Sequence, residues 1–222
     1  MTEYRLPWYR ELNRYHWFVL IVAALGWLFD CLDQQLFILA RQPAMKDLLD
    51  VSNPGELKAV ADAYAGYATS IFLLGWASGG LLFGVLGDRI GRAKTMMITI
   101  LMYSLFTGLS AFSVTFWDFA MYRFLTGLGV GGEFAVGVAL VAEVMPERAR
   151  PYALSLLQAL SAIGNVSAAL LNMAMGSLVE RGVVESVWRP LFLVGAVPAL
   201  LALVIRRRLK EPERWKNVSH EG

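Results

Sequence analysis

Residues 63–94 read AYAGYATSIFLLGWASGGLLFGVLGDRIGRAK, and this stretch decides the kind of protein. From Ala63 to Gly87 no side chain carries a charge; then Asp88, Arg89, Arg92 and Lys94 follow within seven residues. A helix needs roughly 20 mostly apolar residues to cross the hydrocarbon of a bilayer. The first part is therefore long enough to span, and the second marks the water at its exit. Outward in both directions the pattern repeats. Charge-free runs extend over Trp17 to Phe29, Thr95 to Trp117, Phe124 to Gly132, Phe134 to Ala142, Pro151 to Val179 and Pro190 to Ile205. With 57% hydrophobic and 17% charged residues, the composition agrees with a chain that lives in lipid.

Joining the first run across Asp30 and Asp33, and the two short runs across Glu133, gives six spans: 17–40, 63–87, 95–115, 118–142, 151–179 and 187–205. The last reaches adequate length if Arg189 snorkels to the interface. An all-α membrane protein follows, with residues 1–16 before the bundle and a basic tail at 206–222. The first span is too long and too acidic for a cleaved signal peptide. Basic residues gather at helix ends rather than along a stripe, which with a net charge of +2 argues against nucleic acid. Cys31 is the only cysteine, so neither an intrachain disulfide nor a cysteine zinc site is available. No cofactor is implied.

Orientation follows from the same charges. With the amino terminus inside, fourteen of the 20 Lys and Arg residues fall in the inside segments, five outside, and Arg123 within a span. The positive-inside rule then places both termini in the cytoplasm. Arg41 to Asp62, with Pro43, Pro54 and Gly55, reads as an outer loop, and Thr115 to Asp118 as a tight turn pairing spans three and four.

The segment GVLGDRIGRAK is physically a close-packing, tightly reversing turn whose Asp88, Arg89 and Arg92 can make and break ion pairs, or simply a basic anchor. Gly84, Asp88, Arg89, Gly91 and Arg92 resemble the G-x-x-x-D-R-x-G-R loop of the major facilitator superfamily. Other signatures follow in that family's order. RFLTGLG from Arg123 resembles R-x-x-x-G-x-G, and Glu143, Pro146 and Arg150 resemble E-x-x-P-x-x-x-R. Gln158 and Gly164 resemble Q-x-x-x-x-x-G. Trp188, Arg189, Phe192, Gly195 and Pro198 resemble W-R-x-x-F…G-x-x-P. Glu211 and Arg214, with Trp215, match part of the sugar-porter P-E-S-P-R-W element, whose prolines are displaced here. The resemblance covers nearly the whole chain and implies a bundle of 3+3 inverted repeats, one six-helix half of a twelve-helix carrier. It also implies that Arg92, Glu143 and Arg150, with Asp88, belong to a cytoplasmic gate; on charge alone they would be solvated loop residues.

Ionisable groups inside hydrocarbon cost about 2.5–3.5 kcal/mol each and so face a cavity or a partner. Asp30 and Asp33, three apart, share a helical face. Counting from Trp17, Asp33 lies about 6 Å below the far face of the hydrocarbon, and Arg123 lies about 9 Å below it when counted from Trp117. At matched depth the two can form a static fastening, or a switch in which the carboxylate takes a proton and the arginine stays charged. LFDCLD resembles the D-G-Y-D of aromatic-acid and related proton symporters, with Cys31 and Leu32 replacing the central pair, and the resemblance implies that Asp30, Asp33 and Arg123 are proton-coupling residues. Glu133 falls in the cytoplasmic half of its span, facing the cavity or the cytoplasmic charges. Gln158 and Asn165, with Gln34, Gln35 and Trp27, are substrate-binding candidates, each with a helix-packing alternative.

Three functions are open on sequence. The first is proton-coupled, alternating-access transport of a small organic solute, a sugar or an organic acid. This would take place in a plasma membrane or bacterial inner membrane, with a second six-helix half from a homodimer or another chain. The second is a non-transporting remnant or membrane interaction protein. The third is a membrane enzyme, which His16 and His220 disfavour because both lie outside the spans.

Overall fold

The computed structural model describes residues 7–51 and 54–209, and among these every regular element is helical. A 3-10 turn at Trp8–Arg10 precedes α1 (Arg14–Leu48). The first long helix begins in a capping box: the Asn13 side chain accepts from the His16 amide at 2.9 Å, and His16 Nδ1 accepts from the Asn13 amide at 3.3 Å. There follow α2 (Pro54–Ile90), α3 (Arg92–Ser110), α4 (Phe116–Val144) and α5 (Arg150–Glu180). The described residues end in two short pieces, α6 (Trp188–Val194) and α7 (Ala199–Arg208). Four helices, α1, α2, α4 and α5, are individually long and apolar enough to cross a membrane.

Three expectations are corrected. The outer loop is not Arg41 to Asp62: α1 continues through Pro43 to Leu48 and α2 begins at Pro54. The charge-free run ends before the helix does; 35 residues at 1.5 Å make α1 about 52 Å long, more than the roughly 30 Å of a hydrocarbon core. The turn between α3 and α4 lies at 111–114, four residues before the predicted position. Thr115 is instead the N-cap of α4, in a capping box with Asp118. Finally, the sixth span is broken. Pro198 has no N–H to continue the α-helical ladder, and the chain crosses the break on tighter bonds: Ala196 to Leu193 at 3.1 Å, Val197 to Val194 at 3.0 Å and Leu201 to Pro198 at 2.8 Å.

The helices meet where side chains are smallest. On α2, Gly75 and Gly79 lie against the backbone carbonyls of Phe124 and Leu128; on α4, Gly127 and Gly131 lie against those of Phe72 and Trp76. Each would lose its contact if it carried a Cβ. The pair of small-xxx-small stripes therefore brings the two backbones together without intervening side chains. Gly164 of α5 sits in the same way against the Leu28 carbonyl of α1. The opposite side of α5 leaves Ile163, Val166, Leu170 and Met173 exposed, as does that of α2 with Leu73, Leu74, Leu81 and Leu82.

Two apolar cores result. Val19, Leu20, Met96, Ile100, Val136 and Leu140 build one toward the basic end of the bundle. Leu36, Phe37, Ala40, Phe119, Trp188 and Phe192 build the other toward the opposite end. Along α1, α3 and α4 the residues between these cores include Asp30, Asp33, Thr107, Ser110, Arg123 and Thr126, all buried. A polar layer thus divides the bundle.

Candidate functional site

Arg123 is fully buried, and its position follows from register on α4: it projects from the same stretch as Gly127, which holds α4 close to α2. Its guanidinium Nε donates to Ser110 Oγ at 3.2 Å. One terminal nitrogen donates to Thr107 Oγ1 at 3.1 Å and Thr126 Oγ1 at 2.9 Å. The other lies 3.6 Å from Asp33 Oδ2 and makes no hydrogen bond. Thr107 joins the two charges, because its hydroxyl also donates to Asp33 Oδ1 at 2.8 Å. Phe37 and Phe192 cover the guanidinium carbon at 5.4 and 4.8 Å from their ring centres, an arrangement that stabilises a desolvated cation. Gly195, at the break between α6 and α7, leaves room for Thr107 and Asp33 Oδ1. Helices 1, 3, 4 and 6 therefore meet at one long ion pair with a hydroxyl bridge.

Asp30 lies one turn before Asp33, but its surroundings differ. It faces Glu133 of α4 and has no hydrogen-bond donor on either carboxylate oxygen among the described residues. Glu133 reaches α1 through the gap left by Gly26, where a Cβ would strike its carboxylate. It also lines a cavity of about 210 Å³ together with Ala23, Trp27, Phe134, Leu157 and Gln158. Trp27 stacks on Phe134 at 4.5 Å between centroids, and its indole nitrogen has no partner among the described residues. Of the substrate-binding candidates, then, Gln158 and Trp27 come to one cavity. Gln34 and Gln35 are half-buried elsewhere on α1, and Asn165 is exposed on α5; none of these three lines it.

At the basic end, Gly91 takes φ 110°, a conformation suited to glycine, and turns the chain from α2 into α3. Arg92 then points back across the turn. It donates from Nε to Glu143 Oε1 at 3.0 Å and pairs with that oxygen at 2.9 Å and with Asp88 at 2.5 Å; the Gly84 carbonyl lies at 3.5 Å. Partial burial works against the Arg92 charge, but Glu143 and Asp88 outweigh it and hold the guanidinium proton more tightly than in a free arginine. Gly87 gives the Arg92 side chain its passage. Arg150 is half-buried and donates from neither Nε nor its second terminal nitrogen, so it stands outside this clamp. Arg89 is exposed. Glu211 and Arg214 lie outside the described residues.

Sequence reading missed the hydroxyls. Thr107, Ser110 and Thr126 hold Arg123, and nothing in a lone Thr or Ser distinguishes such a residue from one bonding its own helix. Their spacing offered a faint signal: 107 and 110 are one turn apart on α3, facing α4. Asp47 was also missed. It accepts from the Trp188 indole at 3.2 Å and from Arg189 at 3.3 Å, while Arg189 donates to the Ala111 carbonyl at 2.8 Å. Arg189 thereby ties the ends of α1, α3 and α6 together instead of only reaching for the interface.

The profile of the Major Facilitator Superfamily matches residues 17–222. The chain belongs to this superfamily. The niacin transporter NiaP of Acinetobacter baylyi is 32% identical over 200 residues, covering 90% of this chain and 42% of that protein. The benzoate transport protein of the same organism is 30% identical over 206 residues, covering 90% and 41%. The crystal structure of a D-xylose-proton symporter superposes with a TM-score of 0.77 at 21% identity, covering 93% of this chain and 53% of that one; at this identity it speaks for the fold alone. This superfamily chain therefore spans about half the length of the relatives it matches. The family and the named relatives are transporters, not enzymes, and the apolar helices make the chain a membrane protein.

Proposed function

We propose that the chain forms the amino-terminal six-helix half of a proton-coupled secondary transporter for a small organic solute, working by alternating access. The observation that carries this reading is the buried pair of Asp33 and Arg123, separated by 3.6 Å and bridged by Thr107. Arg123 has three hydroxyl partners and two aromatic neighbours of its own, so it stays housed when Asp33 takes a proton. The element that protonation releases is α1. Its movement against α4 changes the access of the cavity lined by Trp27, Glu133 and Gln158, where the solute binds. At the cytoplasmic end, Arg92, Asp88 and Glu143 form the gate that holds α2, α3 and α4 together while that side is closed.

The 3+3 inverted repeat is supported by the helix pairing. Exchanging the first three helices for the last three turns the tight α2–α4 contact into α5–α1, and Gly164 serves the second contact as Gly75 and Gly131 serve the first. Both termini lie in the cytoplasm by their arginines and lysines. The exposed apolar sides of α2 and α5 face lipid and the second half, whether that half comes from the same polypeptide, a second copy or another chain. The membrane is a plasma membrane or bacterial inner membrane. The relatives named for niacin and benzoate point to an organic acid ahead of a sugar.

The test is uptake into proteoliposomes that contain the chain with its complementary half. Under a proton gradient, competition by nicotinate, benzoate and a panel of sugars identifies the solute. Asp33→Asn is expected to abolish gradient-driven accumulation while leaving solute exchange. Accumulation that survives this substitution overturns the coupling role.

A further inference from the structure

Asp30 is 0% and Glu133 1% exposed; they face one another across α1 and α4, and no cation among the described residues pairs with either. The contact is built by the backbone: Gly26, four residues before Asp30 on the same face of α1, leaves the space the Glu133 carboxylate enters, and Gly137 lies beside that carboxylate on α4. The groups around the pair are Cys31 and Asp33 on α1, Tyr103 on α3 and Gln158 across the cavity on α5. Asp33 already has Arg123, and the Tyr103 hydroxyl has no hydrogen-bond partner among the described residues. Two adjoining carboxylates without a donor would each be desolvated and mutually repelled.

We propose that Asp30 and Glu133 hold one proton between them, as a second proton site distinct from Asp33–Arg123. The proton sits on one carboxyl as O–H and is donated to an oxygen of the other, so that two acid groups carry one negative charge and one hydrogen bond. Asp30 then has the donor that no other residue supplies. Glu133 is the member of the pair that lines the cavity, so the proton enters and leaves there, beside Trp27 and Gln158. Asp30 is fully buried and does not line that cavity. The proposal deepens the transport reading, since a solute in the cavity meets a neutral donor when the pair is loaded and a second negative charge when it is not.

The experiment is infrared difference spectroscopy of the chain in lipid nanodiscs, in light and heavy water, which reads the C=O stretch of protonated carboxyl groups without a solute or a second half. Wild-type protein at neutral pH is expected to show one such band, shifted by deuteration. Asp30→Asn and Glu133→Gln should each move or remove it, the double variant should abolish it, and Asp33→Asn should leave it in place. Absence of the band in wild-type protein overturns the proposal before any substitution is made. So does a band that survives the double variant, or one that a single variant leaves unmoved. A chain that shows the band but accumulates no solute with its complementary half overturns the transport reading alone.

Discussion

Arg123 and Arg92 are both held by carboxylates between helices, but the two sites are built in opposite ways. Arg92 lies at the end of the bundle with 13% of its side chain exposed, and its carboxylate contacts are short: 2.5 Å to Asp88 and 2.9 Å to Glu143. Arg123 is fully buried, and its one carboxylate stands off at 3.6 Å while neutral hydroxyls at 2.9 to 3.2 Å accept its hydrogen bonds. A charge in a low dielectric gains most from a partner and loses most without one. The buried site therefore spreads the arginine over several weak acceptors, so that one acidic partner can be neutralised without stranding it. Near water a broken pair is rehydrated, and a direct clamp is sufficient.

The largest expected difference between the two sites is in the removal of the arginine. Arg123→Leu leaves the Asp33 carboxylate buried and unpaired, with an expected loss of about 3–5 kcal/mol. Arg92→Leu leaves Asp88 and Glu143 near water, with an expected loss of about 1 kcal/mol or less. Thermal unfolding of both variants in the same nanodiscs compares them, and equal losses would break the distinction. Adding Asp33→Asn to Arg123→Leu should recover part of the stability, because the stranded charge goes with its partner.

Next in size is Thr107→Val, which keeps the shape of the side chain but removes the bridge. Asp33 Oδ1 then loses its donor, and a cost of about 1–3 kcal/mol is expected, with uptake impaired more than exchange. At the other site Glu143→Gln should cost about 1 kcal/mol at low salt and less at high salt, since that clamp is open to screening whereas the buried pair is not. Salt-insensitive loss at Glu143 would mean that the end of the bundle is drier than its exposure implies.

The same contrast explains how much could be read beforehand. The charge-free run from Pro151 to Val179 lies one residue inside each end of α5. Matched depth along two helices brought Asp33 and Arg123 to one level, a calculation that needs only the rise per residue. Depth is silent on rotation. It put Asp30 and Asp33 on a common face, yet Asp33 meets Thr107 of α3 and Arg123 of α4, whereas Asp30 meets Glu133, ten residues further along α4. The ends of α1 and the break in the sixth span were lost for a different reason: hydropathy reports lipid, while a helix stops where hydrogen bonding stops. Pro198 carried that information, but Pro43 lies within α1 without ending it, so proline alone did not distinguish the two cases.

The smallest effect is expected at the turn between α3 and α4, which is held by hydrogen bonds where both arginine sites are held by charge. Thr115 caps α4, and Asp118 accepts from the amides of Val114 at 2.9 Å, Thr115 at 2.8 Å and Phe119 at 3.0 Å and from the Thr115 hydroxyl at 2.7 Å. Thr115→Ala is therefore expected to cost about 1 kcal/mol near neutral pH. Asp118→Ala should cost a similar amount there, since it removes the acceptor of the Val114, Thr115 and Phe119 amides. The two losses should not add, because both residues belong to one reciprocal box. Additive losses would show that the turn draws its stability from the surrounding apolar contacts of Phe116 and Phe119 instead.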